Sequence, residues 1–132
     1  MFDRLSAYSP YALAVLRIVV ALLFIEHGTM KLFGFPSATP MEVSLFSLIG
    51  LAGALELIGG LLVLFGLFTR IAAFVLSGEM AVAYFMAHAS QSFWPIENQG
   101  EAAILFCFAF LYLVFAGPGS WSVDGMRSKA SA

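Results

Sequence analysis

Charge is scarce in this sequence. Charged residues fill 11% of its 132 positions and hydrophobic ones 61%, whereas an average soluble domain is about a quarter charged. A small domain buries only part of its chain, so a soluble fold of this length could not hide so much apolar surface. Basic residues are not in excess: the net charge is −2, which excludes the basic face that nucleic acid requires. A single cysteine, Cys107, cannot close an internal disulfide and reads as a small apolar filler. Phosphate loops and a G-x-S-x-G elbow are missing. So are the Glu-x-x-His pairs of a di-iron bundle, and too few ligands group together for zinc. No metal is expected. What remains is an integral membrane protein of a single domain, 1–132.

Long apolar runs fill that domain, and the expected fold is all-α: an integral membrane four-helix bundle. The mixed N-terminus MFDRLSAYSP shows no small-residue cleavage site, so the run after it is expected to stay as the first span. Helix 1 is expected over about 10–33, with Ser9 as cap, Pro10 in the first turn, and Gly34 and Pro36 as stops. At ~1.5 Å per residue it crosses a ~30 Å core. Helix 2 is expected over about 41–68, where Thr39 and Glu42 have capping-box spacing. Helix 3, about 70–88, follows so closely that the two should be antiparallel neighbours. Asn98 and Glu101 repeat the capping-box spacing for helix 4, about 99–116. The polar tail SWSVDGMRSKASA is expected to fray. Arg4, Arg70, Arg127 and Lys129 fall on one side of this arrangement and Lys31 alone on the other. The positive-inside rule then puts both termini in the cytoplasm.

Ionisable residues inside membrane helices are costly and usually have a partner or a task. Here they are Arg17, Glu26, His27 and Lys31 on helix 1, Glu56 on helix 2, and Glu79 and His88 on helix 3. Counting rise from the cytoplasmic ends, Arg17 is about 10 Å deep and Glu79 about 14 Å, Glu56 about 20 Å, and the histidines about 25–28 Å. Matching depth suggests a structural ion pair between Arg17 and Glu79, and a meeting of Glu56 with His27 or Lys31 across the helices. Gly53, Gly59 and Gly60 surround Glu56 in sequence, which places it at a tight helix contact. Glu26 lies on the opposite side of helix 1 from Arg17. Lys31 can also be explained by snorkelling to the surface. His27 and His88 could ligate a haem from both faces, but two histidines alone are a weak signal for one.

The stretches HGTMKLFG (27–34), ELIGGLLVLFGLFTRIAA (56–73), GEMAVAYFMAH (78–88), WPIENQGE (94–101) and GPGSWSVD (117–124) occur in this order. Together they make the chain resemble the DoxX family of small four-helix bacterial membrane proteins. Gln99 stands where that family usually has a second glycine. The resemblance implies the fold, a multi-pass place in the bacterial inner membrane, and, through relatives linked to a thiosulfate:quinone oxidoreductase and other membrane redox complexes, a redox association.

Two functions follow as expectations. In the first, the protein handles a quinone or similar lipid-soluble carrier between helices 1, 2 and 3. His27 and Glu56 would transfer protons there, with Lys31 and His88 completing the binding site. Electrons would come from a soluble or membrane redox partner. In the alternative, the chain is a non-catalytic membrane scaffold or anchor subunit for a partner oxidoreductase. The bilayer is a partner in both readings, and homo-oligomers are compatible with either.

Overall fold

The computed structural model describes residues 2–38 and 43–131. A 3-10 turn, Phe2–Tyr8, leads into α1, Ser9–Phe33. Ser9 is the first helical residue rather than the cap. Gly34 closes α1 in the left-handed region (φ 66°), which glycine enters without a Cβ clash.

Helix α2, Leu48–Phe65, begins later than the expected 41. A turn at 44–47 intervenes, and the Ser44 carbonyl fills the space that a Cβ on Gly50 would need. Ser47 is the cap, its Oγ accepting the Gly50 N–H at 3.1 Å. The capping residues expected from spacing, Thr39 and Glu42, lie outside the described residues. Gly66, left-handed at φ 66°, ends α2 before Phe68. Helix α3, Thr69–Ala83, then continues as wider π turns through Tyr84–His88. A single turn, α4 (Pro95–Asn98), precedes α5, Glu101–Ala116. The tail does not fray throughout: Ser122 caps α6, Val123–Ala130, by accepting the Gly125 N–H at 3.0 Å.

Among the described residues there is no strand. Three helical stretches are long and apolar enough to cross a membrane: Phe2–Phe33, Leu48–Phe65 and Thr69–His88. The apolar α5 has 16 residues. Helix α1 packs on α2, α2 on α3, α3 on α5, and α5 back on α1. Phe24, Val63, Leu76, Phe110 and Leu113 form the centre. The Phe24 ring meets Phe110 and Phe106 edge-on, with centroids 4.8 and 5.2 Å away, an arrangement the ring quadrupoles favour.

Helices α1 and α2 touch backbone to backbone. A Cβ on Gly28 would lie 2.8 Å from the Leu57 nitrogen and 2.9 Å from the Gly53 carbonyl oxygen. Small residues allow this approach in lipid, where association rests on packing rather than on hydrophobicity.

The end of the bundle that carries the termini is tied by polar groups. Arg17, fully buried, donates to the carbonyls of Pro118, Ser120 (3.1 Å) and Trp121 (2.8 Å). Asp124 accepts the N–H groups of Phe68 and Thr69, both at 2.9 Å. Partial burial would raise its pKa, but these N–H groups and nearby Arg127 outweigh that and hold the carboxyl below its ordinary range. Arg70 donates to the last carbonyls of α5, those of Val114 and Phe115, at 2.7 Å, where α-helices leave acceptors open.

Candidate site: a polar cluster in an apolar cavity

Away from the α2–α3 turn, the helices enclose a cavity of about 780 Å³. It is lined by the last turns of α1, the first half of α2, the second half of α3 and the start of α5. Its walls are mostly aliphatic, with Phe106 as the aromatic side chain. Five ionisable groups reach it: His27, Lys31, Glu56, Glu79 and His88.

The close contact of Gly28 with Gly53 brings Lys31 over Glu56. The lysine Nζ donates to both carboxylate oxygens, at 2.5 and 2.6 Å. The Glu56 side chain is 2% exposed and that of Lys31 27%. This is one of the meetings that depth suggested. Snorkelling does not describe Lys31, whose ammonium is turned onto α2.

The ion pair expected between Arg17 and Glu79 does not form. Arg17 is taken up by the carbonyls of the 118–121 segment, and both Glu79 oxygens are buried without a hydrogen-bond partner among the described residues. Similar depth put these residues at comparable levels, but rotation about α1 turns Arg17 toward the tail. Glu79 instead lies beside the Lys31–Glu56 pair on the cavity wall.

Both histidines set Nδ1 against a main-chain carbonyl. His27 Nδ1 is 3.0 Å from the Leu23 carbonyl, and His88 Nδ1 is 2.9 Å from the Asn98 carbonyl. A carbonyl can only accept, so each Nδ1 donates, and in the neutral ring each Nε2 is left as an acceptor. The His27 ring also stands edge-on to Phe106 at 5.5 Å.

Asn98 does not cap α5; Gly100 holds that position. The Asn98 side chain, fully buried, accepts the Gly100 N–H at 2.8 Å and donates to Tyr84 Oη and the Ser92 carbonyl. It pins the 89–100 loop to the π turns that carry His88. Glu101 is the first residue of α5 and exposed, where its charge suits the helix dipole. Glu26 is exposed too, turned off the bundle.

Chemically, the cavity offers one internally neutralised ion pair and three groups with free acceptor capacity, Glu79 and the two histidine Nε2 atoms. Sequence reasoning assigned Glu79 to an ion pair with Arg17. The available signal was Gly78 beside it, a gap in the helix wall next to a carboxylate.

A family model described as DoxX matches residues 12–89. An uncharacterized protein of Haemophilus influenzae is 47% identical over 132 residues, covering 96% of this chain and 98% of that protein. The inner membrane protein YqjF of Escherichia coli is 30% identical over 125 residues, 87% of this chain and 91% of that protein. An uncharacterized membrane protein of Mycobacterium tuberculosis is 28% identical over 144 residues, 95% of this chain and 86% of that protein. No solved structure matches the chain.

Proposed function

The chain belongs to the DoxX family of membrane proteins, and from that premise we propose that it spans the bacterial inner membrane four times, with both termini in the cytoplasm, and binds a lipid-soluble hydroquinone in its outer half. The topology rests on Arg4, Arg70, Arg127 and Lys129, which gather at the end with the termini. The basic residue nearer the other end, Lys31, is neutralised by Glu56. Reporter domains fused to each terminus are expected to report the cytoplasm, and an external C-terminus overturns the arrangement.

The observation that carries the ligand reading is Glu79, a buried carboxyl with no hydrogen-bond partner among the described residues, inside a largely apolar cavity. Unpartnered buried polar groups are expensive, and a ligand that supplies a donor removes the cost. A hydroquinone carries two O–H donors on one small ring. Glu79 takes one hydroxyl and a histidine Nε2 takes the other, while aliphatic walls and Phe106 hold the ring. Glu56, already held by Lys31, leaves the proton-accepting role to Glu79 and His27. On oxidation the two hydroxyl protons pass to these acceptors and the two electrons to a partner oxidoreductase.

Equilibrium binding to the purified protein tests this, with a hydroquinone bearing a ten-carbon tail as probe. Saturable one-to-one binding is expected, weakened about tenfold in Glu79→Ala by loss of a hydrogen bond to the carboxyl. Binding that is absent in the native protein, or unchanged in the variant, overturns the reading.

A further inference from the structure

Most gaps between neighbouring helices are closed by specific contacts. Between α1 and α2 the Gly28–Gly53 contact and the Lys31–Glu56 pair seal the wall. Between α1 and α5 the rings of Phe24, Phe106 and Phe110 interlock. Between α3 and α5, Ser77 Oγ donates to the Cys107 carbonyl at 2.8 Å, and further along Asn98 holds Tyr84. The gap between α2 and α3 is different. Near their turn the helices touch, since a Cβ on Gly59 would lie 2.7 Å from Leu76 Cδ2. Farther from the turn, a Cβ on Gly78 would meet no atom within 4 Å. The residues flanking that space, Leu55, Val75, Val82 and Met86, line the cavity and are exposed. All four are apolar, so among the described residues this flank is made for hydrocarbon rather than for water.

We propose that the cavity is entered sideways, from the lipid, through the space between α2 and α3, and that Gly78 holds this portal open. The inference rests on the reading of the cavity as a ligand site and narrows the ligand class. The ligand is an amphiphile already dissolved in the bilayer, whose polar ring passes inward to Glu79 and whose flexible tail stays in the portal among Leu55, Val82 and Met86. Gly78 is a specificity-determining residue here because its missing side chain sets the width of the portal.

Chemical access to the far wall tests the portal without reference to any particular ligand. Ala103, buried on α5, lines the cavity. In a Cys107→Ala background, Ala103→Cys in lipid vesicles is treated with either a membrane-soluble maleimide or a permanently charged thiosulfonate, and modification is followed by mass spectrometry. The maleimide is expected to react and the charged reagent to spare the thiol. Adding Gly78→Trp, whose indole has open space to fill, should slow the maleimide about tenfold. An unchanged thermal transition verifies that this variant folds.

Equal reaction with the charged reagent would mean a route from water and overturns the proposal. Failure of both reagents would mean a covered portal, by a second copy of the chain for example, and overturns it too. So does a folded Gly78→Trp variant with unchanged maleimide rate. Should the native protein bind no hydroquinone while the labelling pattern holds, the ligand assignment fails and the lateral entrance stands.

Discussion

Replacing Lys31 with methionine is expected to destabilise the folded protein in detergent by about 3–5 kcal/mol, the usual cost of removing one partner from a buried ion pair. The reason lies on the other helix. Glu56 is 2% exposed, and among the described residues the lysine ammonium alone donates to its two oxygens. Methionine preserves the bulk of the lysine stem, so the loss reports charge rather than packing. Glu56→Met alone leaves the ammonium partly exposed, able to reach the boundary, and should cost less. The double variant should recover much of the stability, because a buried ion pair replaced whole by apolar side chains is often neutral. Thermal unfolding of the four species closes the cycle. Additive losses, with no recovery in the double variant, would show that the pair is not coupled.

Arg17→Met should release the C-terminal segment. The guanidinium satisfies three backbone carbonyls, those of Pro118, Ser120 and Trp121. Without it, keeping those carbonyls buried costs about 1–3 kcal/mol each, and the segment can avoid that cost by moving into water. Trypsin cleavage after Arg127 and Lys129 is the readout, expected to quicken about tenfold or more. Acid should loosen the same segment by another route. The Asp124 carboxyl sits below its ordinary range in the folded protein, so its contribution is present above the ordinary carboxylate pKa and is lost as pH falls through the folded value. Cleavage unchanged in Arg17→Met would show that the tail is held by other contacts.

The helices were legible because membrane spans announce themselves as long apolar runs, and because Gly34 and Gly66 stop them by backbone geometry rather than by context. Boundaries set by competing caps were not. The Thr39/Glu42 spacing promised an early start for α2, but a turn at Ser44 and the cap at Ser47 intervene. The site was legible in part. Glycines around Glu56 correctly marked a close helix contact, and Lys31 was among its candidate partners. Arg17 was misread because depth is one coordinate and rotation another. Its acceptors are main-chain carbonyls in a Gly- and Pro-rich segment, which no list of charged residues includes. Glu79 was misread for the same reason, having been assigned a partner that is engaged elsewhere.

The three-residue connection at 66–68 has a mechanical consequence. Held by Asp124 at its first N–H groups, α3 behaves as a lever with its fulcrum at the end that carries α6. From Thr69 to His88 the arm has 20 residues, roughly 30 Å at the helical rise. A tilt of about 5° at the fulcrum would carry the far end through roughly 2.5 Å over that length. Whatever pulls on α6 thus has a handle on the width of the space between α2 and α3 beside Gly78, partway along that arm.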